Sequence, residues 1–359
     1  MLPATNQPQE VSCVDLFCGV GGLTHGFIRE GLPVNAGIDI DPACRYPYEK
    51  NNDVMFVQTD VGRISSSEIR KMFTPSAFKV LAGCAPCQPF STYSQRYDIT
   101  GDPRWELLNS FARHVVGIQP DIVTMENVPS VIKHKVYQDF VDTLEAIGYS
   151  VHSQIVNCVD YGVAQTRKRL VLLASRHGSI PLVKGAEKPR TVRESIGHLP
   201  DLKAGAIGVR DRLHMASTLS PLNLKRIRAS RPGGTWRDWP QRLRLDCHKE
   251  KSGETYPSVY GRMLWEEPAP TITTQCYGYG NGRFGHPKQD RAISLREAAI
   301  LQGFPQRYQF VSPGEPIQFK TIGRLIGNAV PVPLGVAIAR SIQAHLATKS
   351  APKRRRKIS

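Results

Sequence analysis

The sequence predicts an α/β fold with a mostly parallel sheet covered by helices on both faces, and a smaller loop-rich second domain. Two observations carry this prediction. In residues 11–174, short apolar runs alternate with stretches of helical spacing. From about residue 181 this periodicity fades, and Gly, Pro, Arg and Trp become frequent. A chain of 359 residues is long enough for two domains and a large core.

The first part contains six strand candidates and four helix candidates. The strands are predicted in VSCVDLF, PVNAGIDI, KVLAGCAP, DIVTMEN, VHSQIVN and RLVLLAS, and the helices in LTHGFIREG, PACRYPYEKN, LLNSFARHVVGI and YQDFVDTLEAIG. Further on, Ser294 and Glu297 have the spacing of a capping box that opens a helix. Residues 321–346 again have helical spacing, and the last dozen residues are predicted to form a mobile tail.

The positive charge is concentrated in two places. The chain has a formal net charge of +16, and residues 184–251 hold 16 Lys/Arg against 7 Asp/Glu. Residues 349–357 add six Lys/Arg and no acidic residue. A basic block in an otherwise nearly neutral chain indicates a surface that binds a polyanion, with nucleic acid as the leading candidate and a solubilising surface as the alternative.

Other features favour an intracellular protein. The N-terminus lacks the basic and apolar regions of a signal peptide, and no uninterrupted apolar run approaches the length of a membrane span. The eight cysteines of such a chain are expected to be reduced thiols rather than disulfides.

A glycine-rich turn follows the first predicted strand. It reads Asp15-Leu-Phe-Cys-Gly19-Val-Gly21-Gly22, and glycines there let the backbone approach a ligand beside a helix N-terminus. Asp39 lies 20 residues after Gly19, where a carboxylate can accept hydrogen bonds from ribose hydroxyls. Thr24 stands where a dinucleotide fingerprint would have its third glycine, so the nucleotide-like ligand need not be a dinucleotide.

Cys87 is the strongest candidate for a reacting group. It lies in Gly83-Cys-Ala-Pro-Cys-Gln-Pro-Phe-Ser91, at the end of a predicted strand, where sites in open α/β sheets form. With Cys84 it also resembles a redox pair or half of a zinc site. No second CxxC or HxxxH-type partner exists, and Gln-Pro-Phe-Ser opens no convincing helix. A nucleophilic Cys87 is therefore favoured, with Cys84 as a small buried side chain.

Three further motifs are individually ambiguous. Glu126 ends the DIVTM strand and is either a general acid in the same crevice or an ordinary strand-end carboxylate. Arg167 and Arg169 precede the LVLLAS strand. They either bind a phosphate or the polar edge of a nucleobase, or belong to a solvated run of charges. Gly327-Asn328 precedes an apolar helix, as a tight turn does in many proteins.

Taken together, in this order, the motifs closely resemble the DNA (cytosine-5) methyltransferases of bacterial restriction–modification systems. The resemblance runs from Cys13 to about residue 346, and its most specific elements are PCQ at 86–88, ENV at 126–128, QxRxR at 165–169 and GNxVP at 327–331. It implies a Rossmann-like S-adenosylmethionine-dependent methyltransferase fold. The catalytic and cofactor-binding domain would comprise residues 11–188 plus 317–346, the target-recognition domain residues 189–316, and the basic tail residues 347–359.

The resemblance also implies a role for each motif residue. Cys87 would be the nucleophile, Glu126 would bind cytosine N3, and Arg167 and Arg169 would bind the O2 side. The S-adenosylmethionine site, with S-adenosylhomocysteine as product and no metal, would be formed by Phe17, Gly19, Gly21, Asp39, Ile40, Asp60, Pro86 and Asn328. Candidate DNA contacts are Gln88, Ser91, Arg231, Thr235, Trp236 and Arg237. The segment that begins at Arg262 would organise the recognition region.

The implied partners are double-stranded DNA and a separate cognate endonuclease. The enzyme would act as a monomer in the bacterial cytoplasm, on the DNA of the nucleoid and without contact with the membrane. Three alternatives stay open: cytosine-5 methylation of RNA by the same catalytic set, a non-catalytic DNA-binding protein of the same fold, and a nicotinamide-dependent oxidoreductase. The missing third glycine and the PCQ motif count against the oxidoreductase.

Overall fold

A seven-stranded sheet organises the protein. The computed structural model describes residues 10–75, 77–86, 106–185, 187–250 and 256–348. The sheet strands are β1 (Val11–Leu16), β2 (Val34–Asp39), β3 (Met55–Gln58), β4 (Phe78–Gly83), β5 (Ile122–Asn127), β6 (Ser150–Asn157) and β8 (Lys168–Ser175). Their spatial order is β3-β2-β1-β4-β5-β8-β6, and two short strands, β7 (Gln165–Thr166) and β9 (Ala269–Pro270), pair separately. The six predicted strands are confirmed, whereas the four-residue β3 was not predicted.

One strand of the sheet runs against the others. Strands β1 to β5 pair in parallel, while β8 pairs antiparallel with both β5 and β6. The prediction of a mostly parallel sheet is confirmed. Because β8 is reversed, its first residues lie at the edge where the parallel strands end, which brings the Arg-rich motif to the same edge as the ends of β4 and β5.

Helices cover both faces of the sheet. The first half of the chain contributes the helices α1 (Gly22–Arg29), α2 (Arg45–Asn52), α3 (Ser66–Lys71), α4 (Glu106–Ile118) and α5 (Lys135–Ala146). The second half contributes α9 (Phe319–Asn328) and α10 (Val332–Ala347). Alternate residues of β1 enter different clusters: Val14 packs with α4 and α5 residues, and Cys13 with α1 and α10 residues. Burial on both faces explains the nearly continuous apolar strand sequences.

The second half of the chain has little regular structure. It contains the short helices α6 (Val192–Ile196), α7 (Pro221–Ala229) and α8 (Leu295–Leu301). A separate buried cluster comprises Ile227, Trp236, Trp239, Leu243, Tyr279 and Ala292. Arg262 is 5% exposed and donates to the carbonyls of Ile227, Ser230, His286 and Gln289. Its guanidinium thus joins the C-terminal end of α7 to the irregular segment that contains His286 and Gln289.

Helix α8 begins where the sequence predicted. Ser294 Oγ accepts a hydrogen bond from the Glu297 amide, and Glu297 Oε2 accepts one from the Ser294 amide, which completes the capping box. The same carboxylate forms a bidentate pair with Arg291, and both side chains are almost fully buried. The residues of α8 pack in one core cluster with Cys18, Val20 and Tyr48. This part of the second half therefore rests directly on the β1–α1 region.

The C-terminal helical stretch was predicted as one segment, but Ala329-Val330-Pro331 separates α9 from α10. Phe319–Ala347 as a whole has the length and apolar composition of a membrane-crossing helix, yet 78% of its most apolar window is buried inside the protein. That burial is typical of a core helix. All seven cysteines within the described residues are free thiols, as predicted for them.

Candidate active site

The turn between β1 and α1 has the backbone that its glycines predict. Gly19 and Gly21 have φ values of 52° and 85°, a region that side chains disfavour, and Phe17 also has a positive φ of 56°. The Gly19 amide donates to Asp39 Oδ2 at 2.9 Å, and the Asp41 amide donates to Asp39 Oδ1 at 2.9 Å. Asp39 therefore fixes the turn, and its carboxylate retains acceptor capacity for a ligand hydroxyl.

Side chains pack closely against the turn at Gly21. A Cβ on Gly21 would lie 2.5 Å from Asn52 Nδ2 and 2.9 Å from the Tyr48 ring. The hydroxyl of Tyr308 donates to the Val20 carbonyl and lies within hydrogen-bond distance of Asn52 Nδ2. The turn is thus held by side chains from α2 and from the segment after α8.

A cavity of about 530 Å³ opens at the carboxyl edge of the sheet beside this turn. Seven of the eight predicted cofactor residues line it, namely Phe17, Gly19, Asp39, Ile40, Asp60, Pro86 and Asn328. Gly21 is not among the lining residues, because it faces Asn52 and Tyr48 instead. Ile40 is 64% exposed although it is a large apolar residue. An exposed isoleucine at a cavity rim is suited to contact a flat apolar ligand group.

Several residues that line this cavity were not predicted from the sequence. Asp41 and Arg324 form an ion pair from opposite sides, joining the end of β2 to α9. Asp15 also lines the cavity and is 1% exposed. The only feature of the sequence that pointed to Asp15 was its position in the DLFCG motif. That position does not show whether the carboxylate lines a ligand cavity or is buried in the core.

The Asp15 carboxyl is unusual electrostatically. Thr24 Oγ1 donates to its Oδ2 at 2.7 Å, and its Oδ1 has no hydrogen-bond partner among the described residues. Burial raises the pKa of Asp15 to about 7, although the Thr24 hydrogen bond acts in the opposite direction. Burial also raises the pKa of Asp39. Two of the carboxyl groups that line the cavity are therefore destabilised in their ionised form by burial, and positive or hydrogen-bonding groups of a ligand would favour that form.

Glu126 and Arg169 meet at the same edge of the sheet. Glu126, at the end of β5, is 3% exposed, and Arg169 Nε lies 2.9 Å from its Oε1. The Nε–H is not aligned for a hydrogen bond, and Oε1 accepts none from the residues that the structure describes. On the other side, the Cys84 thiol donates to Glu126 Oε2 at 3.0 Å. The structure thus brings Glu126, Arg169 and Cys84 together as a nearly buried, charge-bearing group.

The segment that leads to Cys87 is attached to the end of β5. Asn127 Nδ2 donates to the Ala85 carbonyl at 3.1 Å, and Asn127 Oδ1 accepts from the Val128 amide. Pro86 is the last described residue before Cys87. Cys87, Gln88 and Ser91 themselves lie outside the described residues.

Arg167 differs from Arg169 in its contacts. Its side chain is almost fully buried, and its Nη1 and Nη2 donate to the carbonyls of Ile272 and Gly327 at 2.9 and 3.0 Å. Gln165 likewise bonds to Leu301, Gln302 and Ile272. The Arg167 guanidinium thus connects the residue after β7 to the second half of the chain and to the end of α9. Its predicted contact with the substrate stays a prediction.

The candidate DNA contacts in the second half separate into two kinds. Trp236 is 3% exposed, stacks on His248 with ring centroids 4.2 Å apart, and donates to the Tyr256 carbonyl. It is therefore a core residue, and its prediction as a base contact is corrected. Arg231 and Arg237 are exposed, and Thr235 caps a short turn by accepting from the Arg237 amide. Within the described residues no cluster of His, Cys, Asp or Glu has metal-binding geometry.

Comparison with known proteins identifies the family. The family model for C-5 cytosine-specific DNA methylase matches residues 11–344. The type II methylase M.HgiDII of Herpetosiphon aurantiacus is 52% identical over 93% of this chain and 95% of that protein. The type II methyltransferase M1.HphI of Haemophilus parahaemolyticus is 31% identical over 92% of this chain and 86% of its own length.

The fold has known counterparts as well. The crystal structure of a protein encoded within an Escherichia coli prophage has a TM-score of 0.73 at 21% identity, over 94% of this chain and all of that chain. Because the family model spans nearly the whole chain and the two relatives are similar along their length, this protein belongs to the C-5 cytosine-specific DNA methylases and is a DNA (cytosine-5)-methyltransferase of the type II restriction–modification kind.

Proposed function

We propose that this enzyme methylates C5 of a flipped-out cytosine in a specific duplex DNA sequence through a covalent adduct between Cys87 and C6. The proposal rests mainly on the surroundings of the Glu126 carboxylate. This carboxylate is 3% exposed at the carboxyl edge of the sheet, with Arg169 Nε 2.9 Å from one oxygen and Cys84, a residue of the adjoining cavity, on the other.

The adduct is required by the chemistry of cytosine. C5 is too weak a nucleophile to accept a methyl group directly. Addition of the Cys87 thiolate to C6 creates an enamine whose electrons are available at C5. After C5 has been methylated, a base removes the C5 proton and the C6–S bond breaks, which restores the aromatic ring and the free thiolate. One difficult step is divided into easier ones.

Glu126 and Arg169 would stabilise the base during this addition. Negative charge develops on the N3 and O2 side of the ring when the thiolate adds to C6. A protonated Glu126 can donate to N3, and the Arg169 guanidinium can donate to O2. A nearly buried site strengthens both interactions. Arg167, with its two carbonyl bonds, would also position this strand.

The cavity residues fit S-adenosylmethionine. A volume of about 530 Å³ falls in the range of small-ligand pockets. When bound, the cofactor supplies a methyl group on a positively charged sulfonium. Phe17 and Gly19 would hold it at the turn, Asp39 and Ile40 would contact ribose and adenine, Asp60 would accept from the adenine amino group, and Pro86 and Asn328 would close the pocket. The raised pKa of the lining Asp15 reflects a buried carboxyl that a cationic ligand would favour in its ionised form.

Residues 189–316 would read the DNA, with residues 11–188 and 317–346 as the catalytic domain. A duplex hides C6, so the target base must leave the stack, at a cost on the order of a few kcal/mol. Gln88 and Ser91 would act near the flipped base, and Arg231, Thr235 and Arg237 near the sequence that is recognised. We also propose that the enzyme acts as a monomer in the cytoplasm, on nucleoid DNA and away from the membrane, with a separate cognate endonuclease.

The experiment uses methyl-labelled S-adenosylmethionine with mixed-sequence duplex DNA and, in parallel, transfer RNA. Label in 5-methylcytosine at one short recurring DNA site supports the proposal and identifies the sequence. Label only in RNA would reassign the substrate, and label in neither would contradict catalysis. A duplex with 5-fluorocytosine at the identified site tests the adduct, because fluorine cannot leave as a proton and the Cys87–C6 bond should then persist.

A further inference from the structure

Cys84 contacts the catalytic carboxylate although the proposed reaction gives it no role. Its thiol donates to Glu126 Oε2 at 3.0 Å. The contact follows from the sheet: Gly83 at the end of β4 lies opposite Met125 in β5, so the next residues of the two strands, Cys84 and Glu126, are adjacent. Cys84 is only partly buried, and it also lines the cofactor cavity.

The two oxygens of Glu126 therefore have different neighbours. Arg169 lies at Oε1, and Cys84 donates to Oε2. The terminal torsion of a glutamate is broad, so its carboxyl plane is fixed only by what surrounds it. Arg169 approaches Oε1 without hydrogen-bond alignment and does not define the plane by itself. The directional contact on the carboxyl group that the structure describes is the one from Cys84.

We propose that Cys84 is a positioning residue for Glu126. Its thiol holds Oε2 and thereby keeps Oε1 directed to the base-binding side, next to Arg169. The proposal rests on the function proposed for Glu126. It distinguishes the two cysteines of the Cys-Ala-Pro-Cys motif: Cys87 forms the bond to C6, and Cys84 orients the acid that assists this bond without forming a covalent bond itself.

The test compares Cys84→Ala and Cys84→Val, which lack a donor and are respectively smaller and larger than Cys, with Cys84→Ser, which keeps a donor. We expect both donor-free variants to lose about tenfold in single-turnover methylation rate, as for a slightly misplaced catalytic group. Rates are compared at saturating S-adenosylmethionine, because Cys84 also lines the cofactor cavity. The DNA dissociation constant should stay within about twofold, because the contact with Glu126 matters mainly in the transition state. Cys84→Ser should recover most of the rate.

A double-mutant cycle separates positioning from packing. If Cys84 acts through Glu126, then Cys84→Ala should cause little further loss in a Glu126→Gln background. An equal loss in both backgrounds, or a Cys84→Ser variant as slow as Cys84→Ala, would overturn the proposal. Wild-type rates in the donor-free variants would also overturn it, while leaving the proposed function intact. Absence of methylation by the wild-type enzyme, in contrast, would reject the proposed function itself.

Discussion

Arg169 Nε lies 2.9 Å from Glu126 Oε1, and the two side chains are 11% and 3% exposed. This contact depends on the direction of one strand. Glu126 is paired with Val171 of the antiparallel β8, and Arg169 lies two residues before Val171, on the same face of the sheet. In a parallel β8, the start of the strand would lie at the opposite edge, and the arginine could not reach the carboxylate.

Removal of the arginine side of this pair should slow catalysis. Arg169→Gln leaves a buried carboxylate without its cation and removes the proposed donor to cytosine O2. We expect kcat to fall by about 10²- to 10³-fold, as for the loss of one preorganised donor. Cofactor affinity, measured by calorimetry, should change little.

The matched control is Arg176→Gln. Arg176 directly follows β8 at its other end, and its contacts include Gln119 Oε1 at 3.3 Å. The methylation activity of the Arg176→Gln variant should equal that of the wild type. An Arg169→Gln variant with wild-type kcat would show that the ion pair is structural only.

Cys87→Ala should abolish turnover but keep binding. The thiolate is needed only for the bond to C6, so the variant should bind S-adenosylmethionine and duplex DNA with nearly unchanged dissociation constants. Denaturing gels with 5-fluorocytosine DNA should show a stable covalent complex for the wild type and none for the variant. Loss of cofactor binding in the variant would indicate a mainly structural role for Cys87.

The sequence predicted those parts of the structure that depend on local pattern. Six strands, the glycine turn and the α8 capping box follow from short-range chemistry. Seven of the eight predicted cofactor residues line one cavity: six because parallel strands end at one edge, and Asn328 because α9 returns to that edge. Strand β3 was missed because its four residues, MFVQ, are too few to show a period. The reversal of β8 was not predicted either, because a buried apolar strand has a similar sequence whether it pairs parallel or antiparallel with its neighbours.

Two of the predicted site residues are engaged inside the protein. Arg167 and Trp236 have residue types that contact DNA, and both donate to backbone carbonyls of the protein itself. Whether an arginine or a tryptophan faces a ligand or the core depends on long-range packing, of which a single sequence contains no direct signal. The contacts of Asp15 and Cys84 were missed for the converse reason. Asp15 was named only as part of the glycine-rich motif. Cys84 was predicted to be a small buried side chain, whereas it is partly exposed and donates to Glu126.

The glycine turn allows a stability test with an internal control. Gly21 and Gly31 both have positive φ, at 85° and 75°, but a Cβ meets Asn52 and Tyr48 at Gly21 and nothing within 4 Å at Gly31. Gly31→Ala should cost only the backbone strain, about 1 kcal/mol. Gly21→Ala should cost clearly more and weaken cofactor binding, because the turn must shift. Denaturant unfolding and calorimetry measure the two effects, and equal losses in both variants would contradict the proposed support of the turn.

The basic block should determine how DNA binding depends on salt. Arg231 and Arg237 are exposed within it, so Arg231→Gln and Arg237→Gln should weaken binding to duplex DNA. Each lost phosphate contact should reduce the slope of log K against log salt by about 0.9. Lys135→Gln, on an exposed side chain outside the block, is the control. An unchanged slope in the double variant would place the DNA surface elsewhere.

Cofactor affinity should depend on pH through Asp15. Burial raises the pKa of this carboxyl to about 7, so it is mostly protonated at pH 6 and mostly ionised at pH 8. A sulfonium ligand in the same cavity favours the ionised form, and therefore its dissociation constant should fall as the pH rises through 7. If only the ionised form binds tightly, the change between pH 6 and pH 8 is about tenfold.

The control is Asp15→Asn, whose amide oxygen can still accept the Thr24 hydrogen bond at this position. This variant should bind the cofactor more weakly at pH 8 and should lose most of the pH dependence. Any part that remains is assigned to Asp39, the other lining carboxyl whose pKa is raised by burial. Calorimetric titrations at the two pH values measure both effects. A wild-type affinity that is constant from pH 6 to pH 8 would mean that the Asp15 carboxyl does not change its ionisation when the cationic ligand binds, and that its burial serves the turn rather than the cofactor.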